Sequence, residues 1–117
     1  MNSKDKAVLD KILRHVKSII AYCADCRSRQ DFERDSMRVE ATVFNLMQIG
    51  ELAKTALDED VKQQLTTIPW PQLYGMRNRI VHGYSGVNMR IVWDTVTEDI
   101  PKLGQELEAI LADDTLK

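Results

Sequence analysis

Glycine and proline are scarce in this chain of 117 residues, which has five of one and three of the other. An all-β sandwich or barrel needs turn chemistry about every ten residues, so the shortage disfavours that class and points to a few long helices. No stretch approaches twenty apolar residues, and no membrane helix is expected. Lys4, Asp5, Lys6, Asp10 and Lys11 interrupt any signal-peptide apolar region, so a cytoplasmic protein is expected. Cysteine is limited to one pair, Cys23 and Cys26, without the second Cys or His pair of a structural zinc site. The pair falls late in a helical pattern, away from the strand-to-helix junction of redox motifs, which predicts reduced thiols with Cys23 facing the core. Bulk positive charge is missing too: the net charge is -2, and a generally basic nucleic-acid binder is excluded while a local patch is not.

A hydrophobic fraction of 44% and a charged fraction of 29% belong to a globular domain, and this length suits a single core, so residues 1–117 are expected to form one domain. From Ala7, the residues Leu9, Ile12, Leu13, Val16, Ile19, Ile20 and Cys23 recur at three- and four-residue steps, the pattern of an amphipathic helix, with Ser3 as its N-cap and a fade at residues 27–31. A second helix is predicted from Ser36 to Leu57. Its interior Gly50 costs about 1 kcal/mol relative to Ala, which suggests that another backbone or side chain comes close there. A short turn follows around Val61 to Leu65. Pro71 opens a third helix ending near Val81 or His82, Gly83 is expected as a left-handed cap, and Tyr84-Ser85-Gly86 as a turn. The last pattern begins near Asn88 and contains Pro101, so a kink or break is predicted at Glu98 to Ile100. The expected architecture is an all-α bundle of four main helices plus a short one.

No acidic residue occurs between Asp60 and Asp94, whereas Lys62, Arg77, Arg79 and Arg90 do. Residues 61–93 therefore carry +4 within a chain of net -2, which leaves -6 for the remainder. This is the form a localised phosphate site would take, although Arg79 and Arg90 pairing with acids on neighbouring helices explains the charge equally well. Within the segment stands Arg77-Asn78-Arg79-Ile80-Val81-His82-Gly83-Tyr84. Arginine supplies a permanently charged fork for phosphate oxygens, histidine exchanges a proton near neutral pH, and tyrosine offers a hydroxyl. The set suits metal-free cleavage of a ribose phosphodiester, and no metal or cofactor is called for. Asn78 and His82 share a helix face, but Arg77 and His82 are about 140° apart. They converge if the helix ends at His82, or if a second copy completes the site across a two-fold axis.

At these residues the chain resembles the HEPN superfamily and, within it, the HepT-like branch, whose signature R-x4-H-x-Y is met by Arg77, His82 and Tyr84. Asn78, Ile68-Pro69-Trp70, Gly75-Met76, Ile49-Gly50-Glu51, Val92-Trp93 and Ile100-Pro101-Lys102-Leu103 extend the likeness over most of the chain. The resemblance implies a helical homodimer with the motif in a cleft between protomers, and a metal-independent ribonuclease acting as the toxin of a type VII-like toxin–antitoxin pair. Arg77 would stabilise the phosphorane, His82 act as general base or acid, and Asn78 orient His82 or the scissile phosphate, while Arg79 and Arg90 of the basic segment are expected to contact the RNA. A minimal nucleotidyltransferase antitoxin would transfer AMP to Tyr84, bringing phosphate charge and bulk beside the arginines. The alternative from another class is a non-catalytic helical module that binds a nucleotide or a partner nucleotidyltransferase. Glu51 is read as solvated or arginine-paired, Trp70, Trp93 and Tyr74 as core rather than base-stacking, and His15 as solvated.

Overall fold

Asn2 starts helix α1 (Ser3–Cys23) by accepting the Asp5 amide on its side-chain oxygen at 2.8 Å, one residue before the expected Ser3 cap. The chain is described by a computed structural model that covers residues 1–83 and 87–113, with His82 by its backbone alone, and every regular element in these residues is helical. Helix α1 buries Leu9, Ile12, Leu13, Val16, Ile19 and Cys23, the stripe given by their spacing. Where the sequence pattern fades, a second helix forms instead: α2 (Arg29–Glu33), capped by Ser28, which accepts the Asp31 amide. Its one apolar residue, Phe32, is fully buried beside Trp93, with ring centroids 5.6 Å apart. Helix α3 (Ser36–Thr55) then packs on α1 to one side and on α5 (Trp70–His82) to the other, with the short α4 (Glu59–Gln64) between them in the chain. Pro71 lies in the first turn of α5, where its missing N–H has no intrahelical partner to lose.

The predicted break in the last helix is a widened π turn, Thr95–Asp99, between α6 (Met89–Asp94) and α7 (Ile100–Ala112). In an unbroken α-helix the ring of Pro101 would press on the Thr97 carbonyl. The wider turn relieves that clash, with the Ile100 N–H reaching back five residues to the Thr95 carbonyl. Thr95 and Thr97 donate their hydroxyls to the Ile91 and Trp93 carbonyls. The expected fourth helix is thus two helices joined through this turn, and two short helices, α2 and α4, stand in place of the single short one. Helix α7 packs on α1, where Gly104 lies against Val16.

Two local expectations are corrected, and a third falls where it is not tested. Gly83 has φ -155° and ψ 46°, so α5 ends without the left-handed cap predicted for it. The turn predicted at Tyr84-Ser85-Gly86 lies outside the described residues. His15, taken as solvated from its charged neighbours, is half-buried against α3 with Nδ1 2.7 Å from Asn45 Oδ1. Because the Asn45 amide nitrogen donates to the Ala41 carbonyl, Oδ1 is left as the acceptor and His15 Nδ1 carries the proton.

Both cysteines are free, as expected, and Cys23 is buried with its sulfur 3.8 Å from the Thr42 hydroxyl. Burial pushes both thiols above their ordinary value, so less thiolate is present at neutral pH than for an exposed cysteine. Alkylation by iodoacetamide should therefore run slower than for free cysteine and still be rising with pH beyond the ordinary thiol value. A fast reaction at pH 7 from either residue would contradict that environment.

Candidate functional site

The site is set by the closeness of α3 and α5 at Gly50. A Cβ placed there would run into the Cβ of Arg77 and come within 2.6 Å of the Leu73 carbonyl oxygen. Only a glycine lets the two backbones approach this far, which meets the expectation raised by a glycine inside a helix. The stem of Arg77 therefore lies across α3, and its guanidinium meets the next residue, Glu51. Arg77 Nε donates to Glu51 Oε2 at 2.7 Å, and Nη1 donates to Asn78 Oδ1 at 3.0 Å. A guanidinium has five N–H groups, so these two bonds leave three, one on Nη1 and two on Nη2, for phosphate oxygens. The Arg77 side chain keeps about a fifth of its exposure, which leaves it reachable from solvent. Glu51 is 41% exposed, so the pair adds at most about 1 kcal/mol of stability, and its main effect is to fix geometry.

Helix α5 ends at His82, which is the first of the two conditions for Arg77 and His82 to serve one phosphate. Position 82 lies one turn beyond Asn78; its side chain, and Tyr84 altogether, are outside what the structure describes. The four cations of the acid-free segment separate. Lys62 is buried, donates to the Ala53 carbonyl at 3.1 Å, pairs with Glu59 at 2.9 Å and lies 5.2 Å from the Tyr74 ring centroid. Burial opposes its charge, but the Tyr74 and Glu59 contacts outweigh that and hold the ammonium above the usual lysine value. It belongs to the fold. Arg77 is paired, whereas Arg79 and Arg90 are exposed and have no carboxylate within 4.0 Å among the described residues. Acidic pairing accounts for Lys62 and Arg77 instead.

Arg79 does not join Arg77. Two residues along a helix are about 200° around it, and Arg79 lines a groove of about 630 Å³ between α5 and the α6–α7 segment. That groove has Leu46 and Ile49 in its floor, and its rim sets Asp94, Asp99 and Glu106 against Arg79 and Lys102, which gives no surplus of positive charge. Trp70, Trp93 and Tyr74 are occupied in packing, as expected. Trp70 is buried and donates its indole N–H to the Lys62 and Leu65 carbonyls; Trp93 meets Phe32, and Tyr74 meets Lys62. No group of three or more His, Cys, Asp or Glu able to hold a metal ion occurs among the described residues. Glu51 is what sequence reasoning left aside. Its signal was the adjacent Gly50, whose close neighbour turns out to be the motif arginine.

The two helices that carry Glu51 and Arg77 also leave large apolar side chains uncovered. The molecule measures 44 × 29 × 19 Å, and 19 Å admits two layers of helices at about 10 Å each. Phe44, on the Glu51 side of α3 two turns earlier, is 53% exposed, and Val81, one turn beyond Arg77, is 46% exposed.

Comparisons with known proteins give the family. Residues 10–110 match the family described as ribonuclease HepT-like. The chain is 37% identical over 84 residues to a protein of Caldanaerobacter subterraneus subsp. tengcongensis named as a candidate RNase, covering 72% of this chain and 74% of that one. It is 33% identical over 114 residues to a similarly named protein of Methanocaldococcus jannaschii, covering 97% and 93%. A protein of Thermococcus cleftensis named as a probable ribonuclease HepT is 37% identical over 81 residues, covering 69% and 73%. No solved structure matches at a significant level. With the match running from α1 through α7 and across the Gly50–Glu51 and Arg77 positions, the chain belongs to the HepT-like ribonuclease family.

Proposed function

We propose that this chain is the toxin of a toxin–antitoxin pair, a metal-independent endoribonuclease that works as a homodimer. The observation that carries the reading is the state of Arg77: its stem is laid on α3 by Gly50, its guanidinium is held by Glu51 and Asn78, and three N–H groups on Nη1 and Nη2 remain for a phosphate five residues before position 82. His82 removes the proton from the ribose 2'-OH, and the oxygen attacks the adjacent phosphorus. The bond to the 5'-oxygen breaks as that oxygen takes a proton, leaving a 2',3'-cyclic phosphate and a 5'-hydroxyl. Arg77 stabilises the charge that builds on the phosphorane oxygens. Asn78 orients Arg77 or the phosphate, while Arg79 and Arg90, without a carboxylate partner among the described residues, hold phosphates further along the strand.

The exposed Phe44 and Val81 support a second copy of the chain against this face, which would turn a shallow surface into a cleft. The antitoxin is a minimal nucleotidyltransferase that transfers AMP from ATP to the hydroxyl of Tyr84, two residues past His82, with pyrophosphate leaving. Added phosphates there occupy the arginines and repel RNA.

The reading is tested by incubating purified protein with RNA in excess chelator, before and after co-expression with such a nucleotidyltransferase. Cleavage with cyclic phosphate ends, a mass gain of one or more AMP units, and loss of cleavage in the modified protein are expected. Tyr84→Phe should abolish the mass gain. A strict need for a divalent metal would reject the mechanism. Protein that binds nucleotide or partner and never degrades RNA would make it a non-catalytic companion.

A further inference from the structure

We infer that Glu51 is a positioning residue for Arg77, an assignment that rests on the ribonuclease reading above. An unrestrained arginine samples many rotamers and can offer a phosphate either its Nε/Nη2 side or its terminal edge. Here the choice is made. The 2.7 Å bond from Nε to Glu51 takes the Nε donor of the side edge, and the 3.0 Å bond from Nη1 to Asn78 gives the guanidinium a second fixed point. Glu51 can do this because it follows Gly50, the position where α5 comes closest to α3, so the carboxylate and the Arg77 stem are set by one backbone contact. The exposure of Glu51 argues against a mainly stabilising role, since a pair this open adds little to folding. Without the carboxylate the fork keeps its charge and loses its aim. Substrate still binds through the other cations, but the transition state meets a misdirected donor.

The experiment measures kcat and KM for RNA cleavage by full-length Glu51→Ala, Glu51→Asp and Glu51→Gln, with circular dichroism and dimer mass as controls. A donor misplaced by about 1 Å costs on the order of 10²-fold. Glu51→Ala should therefore lose about that much in kcat, with KM within about threefold. Glu51→Gln keeps an oxygen acceptor at the same reach and should lose less than about tenfold, since a neutral acceptor is roughly half as strong. Glu51→Asp, one methylene short, should fall between them. Glu51→Ala with wild-type kcat, or Glu51→Gln as poor as Glu51→Ala, would overturn the inference. Glu51→Gln more active than wild type would overturn it as well, by showing that the carboxylate only damps the arginine. The Gln and Asp variants decide the question should the Ala variant fail to fold. Wild-type protein that does not cleave RNA defeats the ribonuclease reading itself, whereas active wild type with the wrong order of variants defeats only the role of Glu51.

Discussion

Replacing His82 by alanine should lower RNA cleavage by about 10² to 10⁴, the range for a positioned general acid or base. Arg77→Ala should cost about 10² to 10³, as for removal of one preformed donor to a developing anion. The two act on one transition state, so the double variant should be little worse than the poorer single one. Arg77→Lys is not expected to rescue, because an ammonium cannot keep a bond to Glu51 and also present a two-pronged edge to phosphate. Neither alanine variant should unfold. Loss of Arg77 leaves Glu51 unpaired, but Glu51 is 41% exposed and is solvated by water instead, so the effect on stability stays within about 1 kcal/mol. Initial rates on a labelled RNA, with helical circular dichroism as control, check this. Wild-type cleavage by His82→Ala would end the proposed mechanism.

Gly50→Ala is expected to destabilise the protein, against the sign that helix propensity alone predicts. Ala gains about 1 kcal/mol over Gly in a helix interior. Against this, the new methyl meets the Arg77 Cβ and the Leu73 carbonyl oxygen at 2.6 Å, and neither is the free end of a flexible side chain. Helix α5 has to shift off α3, and overpacking of this kind typically costs about 1 to 3 kcal/mol. The net effect is a loss of up to about 2 kcal/mol, which for a domain near this size lowers Tm by several degrees. Cleavage by the folded variant should also fall, because the same displacement carries Arg77 away from Glu51. A raised Tm in thermal unfolding would show that α5 moves aside without strain.

Much of this arrangement could be read from the chain before any coordinates. The long helices follow from runs such as Leu9, Ile12, Leu13 and Val16, where one face of a short segment states its own partner surface. Pro71 and Pro101 mark a start and a distortion for local steric reasons, and the unexplained glycine at position 50 announced a close contact. What could not be read depends on residues distant in sequence. Helix α2 has a single apolar residue, Phe32, whose burial is decided by α3 and Trp93. His15 stands among charges, yet its partner Asn45 is thirty positions away. The Arg77 pairing with Glu51 spans 26 positions and is made by a helix crossing that no periodicity specifies. The separation of Arg79 from Arg77 was implicit in the helical angle, but the mixed charge of the groove that Arg79 enters was not.

The widened turn at Thr95–Asp99 bears on how this chain can change length. A π turn takes up one residue without advancing the following helix around its axis. Val92, on one side, and Leu103 and Leu107, on the other, are buried in the same core. A single-residue deletion within α7 would rotate everything beyond it by about 100° and swing Leu107 away from α1. The same deletion within the π turn, combined with loss of Pro101, removes only the bulge. Among its long helical stretches, the chain thus holds here a place where descent can add or drop one residue and leave both flanking helices in register.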